Sequence, residues 1–458
     1  MPLLATDLAL AQNSYYTATA GPAQAYPRLD ADTSCDVAVV GGGLAGLSAA
    51  IDLRQRGMDV VLLEAQQVGY GASGRNGGQA IHGLACEQSV IEAQLGLADA
   101  QRVWAMSLEA LDLLQGRIQR HGIACEWQSG YLGLATSARK GRALADWADR
   151  MDTVYGFALE RIAHADIGRW IASPRFHSGI HDPRSGHLHP LKYTRGLARA
   201  AAAAGVRIFE QTPVQALQQG GRPVLRTPAG QVSARQVLLA GNVYLHGEAS
   251  LFASSLAPSL APSLASRIMP IGTYIACSEA LAPTLAASLI PSRAAVCDTN
   301  FVLDYFRTTP DHRLLYGGRV SYSTITPANL ADSMRQRMVQ TFPQLAQARV
   351  EYAWGGFVDI SMNRAPDFGR LPAATRGGAQ NVYCLQGFSG HGLALTGLAG
   401  RLVAEAMAGD ASRFDVFASL RHRPFPGGAR LRTPALVLGM AWYRLRDRLG
   451  DMLGSHAT

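Results

Sequence analysis

Residues 35–40 read Cys-Asp-Val-Ala-Val-Val, a short apolar run of strand type. The run enters Gly-Gly-Gly-Leu-Ala-Gly at 41–46, after which Leu47, Ala50 and Ile51 recur at helical spacing until Gly57 can close the helix. A second apolar run at 60–63 stops at Glu64. Further strand-like runs lie at 130–136, 268–278, 302–307, 313–320 and 381–386, separated by helical stretches rich in Ala and Leu. The last run leads through Gly387-Phe388-Ser389-Gly390-His391-Gly392 into an apolar helix over 393–407. Strand, turn, helix and strand thus alternate at both ends of the chain.

Composition narrows the class. The chain has 458 residues, of which 48% are hydrophobic and 17% charged, enough for a large core and two or three folding units. Its 6 Cys are scattered without a CxxC pair, so no zinc ribbon, no other metal site and no disulfide framework is expected. A reducing, cytoplasmic setting fits that usage, with no signal peptide or membrane-spanning run in view. The Ser-Leu-Ala-Pro repeat at 255–266 reads as a surface insertion.

Formal charge is +8, but residues 421–458 hold seven Arg against two Asp, or +5, leaving +3 for the rest. A nucleic-acid partner needs a basic stripe on the body, and none is evident. Residues 434–453 form an amphipathic basic pattern that suits either packing on the body or contact with an anionic membrane surface.

The 35–64 unit has the parts of a dinucleotide site. Gly41 permits a tight turn, Gly43 admits a pyrophosphate to the backbone, and Gly46 lets helix and strand pack closely. Leu44 and Ala45 begin the helix whose free amides face the phosphates, and Glu64 stands where a carboxylate binds a ribose diol. Residues 69–79 are too polar and glycine-rich for a helix or strand interior; their amides and Arg75 suit the edge of a flat polar ring system.

With Gly-Ala-Ser-Gly-Arg-Asn-Gly-Gly at 71–78, Gly-His-Leu-His-Pro-Leu-Lys-Tyr at 186–193 and the glycine turn at 387–392, the chain resembles the FAD-dependent oxidases and dehydrogenases of amines and amino acids, the D-amino acid oxidase and glycine/sarcosine oxidase family. Asn13-Ser14-Tyr15-Tyr16, the stretches 302–307 and 315–319, and Arg432-Thr433-Pro434 are similar to the branch that oxidises gamma-glutamylputrescine. The resemblance implies an α/β fold: a Rossmann-like FAD-binding domain from 35–90, 184–265 and 353–415, with an inserted α+β substrate domain from 91–183 and 266–352 on a mainly antiparallel sheet. Residues 1–34 become an N-terminal extension and 416–458 a basic C-terminal segment.

The implied FAD contacts are Gly41, Gly43, Leu44, Ala45, Gly46, Glu64, Ala72, Ser73, Arg75, Asn76, Gly77, Gly78, Val214, Gly387, Gly390, His391 and Gly392. The family's covalent branch carries a cysteine in the segment matching 354–367; none occurs here, so FAD held without a covalent bond is expected. The expected activity is oxidation of a small-molecule amine to an aldehyde, with ammonia and hydrogen peroxide released. His391 is expected to face the flavin or the incoming amine, Arg307 and Arg319 to clamp the substrate carboxylate, and Tyr305, alternating with Arg307 on one strand face, to line the same cavity. Some relatives use a lysine beside the flavin for oxygen, and Lys140 and Lys192 are the chain's only lysines, neither in a flavin-loop motif. A dehydrogenase of a D-amino acid or secondary amino acid passing electrons to a quinone therefore stays open.

Overall fold

The computed structural model describes residues 7, 9–246, 260–300, 302–321, 329–373, 375 and 378–428. Two sheets organise them. The first has the order Asp367–Arg370, Val382–Gln386, Gln231–Leu239, Thr33–Val40, Val60–Leu63, Arg207–Phe209. Its last five strands are parallel, and Asp367–Arg370 is antiparallel to its neighbour. Val37 to Val40 are all buried, as a central parallel strand covered on both faces requires. One face packs on the helices Leu44–Gln55 and Gly392–Met407 and the other on Leu225, Leu245 and Leu264.

Gly46 sets the closeness of the first helix to the sheet. A Cβ there would lie 2.0 Å from the Gly41 carbonyl oxygen, so no other residue leaves this crossing intact.

The second sheet has the order Val350–Ser361, Ile268–Ser278, Leu314–Ser321, Tyr305–Thr308, Ala295–Asp298, Gln128–Ala135, Ser178–His187, Gln79–Ala80, with Glu160–Ile162 beside Ser178–His187. It is antiparallel except where Ala295–Asp298 runs parallel to Gln128–Ala135. This is the α/β fold expected.

The domain limits fall differently from those expected at 91, 184, 266 and 353. Gln79–Ala80, the end of Ser178–His187 and most of Val350–Ser361 belong to the second sheet. Helix Leu97–Arg120 packs with the first sheet's core: Val103, Met106, Leu111 and Leu114 share a cluster with Val37 and Val39. A buried pair of Arg117 with Asp52, at 2.9 Å, pins it there. The loop expected at 69–79 contains one helical turn, Ala72–Arg75, because the Asn76 side chain donates back to the Ala72 and Ser73 carbonyls at 3.0 Å.

Helix Ser412–Ala418 runs across the limit set at 416 and buries Phe414 and Phe417 in the first core. The amphipathic stretch 434–453 and residues 255–259 of the Ser-Leu-Ala-Pro repeat lie outside the described residues; the rest of the repeat, expected at the surface, forms the turn Pro262–Ala265 and buries Ala261 and Leu264 against the first sheet. Among the described residues no helix is long and apolar enough to cross a membrane.

Candidate active site

A cavity of about 710 Å³ lies between the two sheets. The first sheet contributes its glycine turn (Gly43, Leu44, Ala45), the helical turn at Ala72 and Ser73 with Asn76 and Gly77, and the last turn from Phe388 to Gly392. The second sheet contributes Met269, Ile271, Tyr305, Val320 and residues 356–361.

At one end, the Leu44 amide donates to Ser73 Oγ at 2.9 Å, and a Cβ on Gly43 would sit 2.7 Å from that oxygen. Glu64 accepts from the Gly42 amide at 2.7 Å through Oε2 and from the Gln66 amide at 2.9 Å through Oε1. Burial pushes its carboxyl pKa up, against those two amides. Each oxygen keeps a second lone pair. A bare backbone cradle, a helix start and an oriented carboxylate fit the phosphates and ribose of a dinucleotide. Gly41 and Gly46 shape this turn without lining the cavity. Val214 lies beyond Glu64 and packs on the first sheet's second core cluster, off the cavity wall.

Arg75 borders the cavity, but its guanidinium is committed elsewhere. It grips Asp7 through two bonds of 2.9 and 2.8 Å, with Tyr244 donating to the same carboxylate at 2.7 Å. Both partners of this pair are buried. The sequence reading had Arg75 facing a ring system; the structure aims it at the N-terminal segment.

Arg307 differs more. It is 2% exposed and does not line the cavity. Its guanidinium donates to the Gly77 carbonyl at 3.0 Å, to Tyr16 Oη at 3.1 Å and to the Leu188 carbonyl at 3.2 Å. All three acceptors belong to the protein, so the expected clamp is replaced by a brace under the turn at Gly77 and Gly78. Tyr305 does reach the cavity, with its ring lying over Gly77 and Gly317. The backbone of Arg319 lies in strand Leu314–Ser321, and its side chain is outside the described residues.

At the other end, Gly387 and Gly390 adopt positive φ of 75° and 82°, turning the chain into Gly392–Met407 so that its first amides open on the cavity. His391 is the residue before the helix. Its Nε2 donates to the His82 carbonyl at 2.9 Å, and burial pushes its pKa down to about 4. The ring is therefore neutral near pH 7 and offers Nδ1 as an acceptor.

Two wall residues carry chemistry that the sequence reading did not single out. Asp359, in strand Val350–Ser361, accepts from the Gly387 amide at 2.5 Å. An acid alone in the apolar run Gly-Gly-Phe-Val-Asp-Ile-Ser was the signal available. Cys297 donates to Gln79 Oε1 at 3.0 Å, and burial pushes its thiol up to about 12.

A family model described as FAD dependent oxidoreductase matches residues 36–406. Gamma-glutamylputrescine oxidoreductase of Escherichia coli (strain K12) is 40% identical over 438 residues, covering 96% of this chain and 99% of that protein. A probable oxidoreductase OrdL of Haemophilus influenzae is 36% identical, covering 95% of this chain and 97% of that one. Among solved structures, glycine oxidase from Geobacillus kaustophilus superposes with a TM-score of 0.65 at 21% identity, covering 82% of this chain and 94% of that one. The glycine cradle, the carboxylate beyond it and the family match over residues 36–406 agree: this chain belongs to the FAD dependent oxidoreductase (DAO) family.

Proposed function

We propose that this chain oxidises the primary amine of gamma-glutamylputrescine to the aldehyde, with ammonia as the second product. The observation that carries the reading is 40% identity to the Escherichia coli enzyme of that name across 96% of this chain. The cavity supports it, because Met269, Ile271, Val320, Val358 and Ile360 form an apolar wall suited to a four-carbon diamine chain.

In this reading Gly43, Leu44, Ala45 and Glu64 hold the phosphates and ribose of FAD, and Ala72, Ser73, Asn76 and Gly77 with Phe388 to Gly392 border its ring. When bound, FAD supplies the acceptor for the two electrons that leave the carbon bearing the amine. The helix start at Gly392 favours negative charge near it, by up to about 2 kcal/mol in a partly buried setting. Neutral His391 offers Nδ1 to the amine, and Tyr305 closes the cavity beside it. In the same reading FAD is held without a covalent bond, since residues 354–367 carry no cysteine, Cys297 donates to Gln79 and Cys384 is buried within Val382–Gln386.

Oxygen as final acceptor would yield peroxide. Neither lysine lines the cavity, Lys140 bonding Asn300 and Lys192 pairing with Glu126, an arrangement that also suits another acceptor. One experiment tests the assignment: denature the purified protein to see whether flavin is released, then offer amines without oxygen and follow flavin bleaching. Bleaching by gamma-glutamylputrescine is expected; bleaching by sarcosine or a D-amino acid alone would overturn the substrate assignment.

A further inference from the structure

The apolar wall of the cavity is one face of the second sheet. Met269, Ile271 and Thr273 alternate along Ile268–Ser278, and across the ladder they stand opposite Ile360, Val358 and Gly356. Val320, opposite Thr273 on the other side, continues the face, and all of these residues line the cavity. The ladder stops where Ile268 meets Ser361. Beyond that end the wall is continued by a residue from a distant part of the chain. The Phe425 amide donates to the Ser266 carbonyl at 2.8 Å, and its ring shares a cluster with Met269 and Ile271, against which Val320, Val358 and Ile360 pack. Phe425 is 9% exposed and itself lines the cavity.

The segment that delivers Phe425 is fastened on both sides of it. The Arg421 amide donates to Gln94 Oε1 at 2.7 Å, and the Arg421 carbonyl accepts from Asn363 Nδ2 at 3.1 Å. The His422 side chain is buried 3.9 Å from Asp367. After Phe425 the Gly428 amide donates back to its carbonyl at 2.9 Å, closing a turn. This segment lies outside residues 36–406, the stretch that the family model matches. Tyr305 marks the other end of the wall, since it stands opposite Gly317, which in turn stands opposite Ile275.

Resting on the amine-oxidation reading above, we propose that Phe425 is a specificity-determining residue: it closes the Met269 end of the apolar wall and limits the length of diamine chain that the cavity accepts. A chain with an additional methylene has to displace a ring whose backbone is bonded to Ser266 and whose side chain is packed on Met269 and Ile271, and overpacking of that kind is unfavourable. An apolar site separates neighbours in a homologous series by about 10- to 200-fold per methylene. The basic C-terminal segment therefore supplies part of the substrate site.

The test uses the flavin-loaded full chain with Phe425→Ala and Phe425→Leu. Gamma-glutamyl amides of the three-, four-, five- and six-carbon diamines are offered without oxygen, and flavin reduction by rapid mixing gives a limiting rate and a half-saturating concentration for each. The wild-type protein is screened first: failure of the whole series to reduce it would overturn the substrate reading alone, and the length series is then built on whichever amine does. Phe425→Ala is expected to retain FAD and to raise the specificity for the five-carbon over the four-carbon chain by about 10-fold or more, chiefly through half-saturation, with Phe425→Leu between it and wild type. A wild-type protein indifferent to chain length would overturn the proposal, as would a ratio unchanged in both variants, even if both substrates react more slowly. So would loss of FAD from both variants, which would make Phe425 a support of the fold.

Discussion

Arg307 and Tyr16, 291 residues apart in sequence, meet at 3.1 Å beneath the turn at Gly77. Their bond attaches the N-terminal helix Tyr15–Thr19 to strand Tyr305–Thr308 and, through the Gly77 carbonyl, to the cavity wall. Arg307→Ala strands that carbonyl, the Leu188 carbonyl and the Tyr16 hydroxyl, a loss of about 3 kcal/mol or more. Tyr16→Phe should cost about 1.5–3 kcal/mol, the value of a hydrogen bond to a charged group. Denaturant unfolding measures both. The KM of soluble Arg307→Lys should stay near the wild-type value; a large rise would return Arg307 to the role of substrate clamp.

Tyr305 leans on two glycines that have no room for a side chain. A Cβ on Gly77 would fall 2.6 Å from the ring and one on Gly317 2.1 Å from it. Gly77→Ala should therefore displace Tyr305 and destabilise by about 1–3 kcal/mol. Combining it with Tyr305→Ala should cost clearly less than the two single changes added together. A thermodynamic cycle showing simple additivity would mean that the ring does not meet the new methyl group.

Asp7 neutralises a buried guanidinium. Asp7→Ala leaves Arg75 charged and enclosed, which costs about 3–5 kcal/mol. The pair borders the cavity, so weaker FAD retention should accompany the loss, read as flavin absorbance per protein after gel filtration. Full flavin content in Asp7→Ala would separate the N-terminal segment from the site.

Glu64→Ala removes both acceptors offered to the Gly42 and Gln66 amides and the proposed ribose contact. Affinity for FAD should fall about tenfold or more, as a lost charged hydrogen bond implies. Flavin release against dilution measures it.

Acid should weaken the fold through its histidines. Burial pushes His187 and His189 down to about 3 and His391 to about 4, well below the ordinary value near 6.5. Between those limits the unfolded chain binds more protons, so this part of the stability is intact above about pH 6.5 and is lost as the pH falls through 4. Asp359, raised to about 7, acts oppositely: its contribution declines as the pH rises from about 4 to 7. Three groups outweigh one, and urea midpoints should drop between pH 7 and 4.5. His187→Gln should flatten that slope.

The parts legible in the sequence are those where one segment carries its own reason. Thr33–Val40, Leu44–Gln55 and Val60–Leu63 follow from a contiguous apolar run, a glycine turn and helical spacing, and each lies within a few residues of the expected limits. Ile268–Ser278 was read whole for the same reason. The Arg307 brace was not legible, because two of its three acceptors are backbone carbonyls, which leave no mark in a sequence. The Asp7 and Arg75 pair spans 68 residues without a local pattern. The amphipathic face of Leu97–Arg120 says that it packs, but not on which sheet.

The chain passes between the two sheets four times: after Leu63, after His187, after Leu239 and after Ser361. Neither sheet is complete until distant segments have arrived, since Thr33–Val40 needs Gln231–Leu239 beside it and Ile268–Ser278 needs Val350–Ser361. Such stitching discourages the two layers from parting like a hinge, so amines would enter at the rim, where Leu303 and Met362 stand 38% and 48% exposed. It also predicts a single cooperative melting transition in calorimetry, with no half that survives the other.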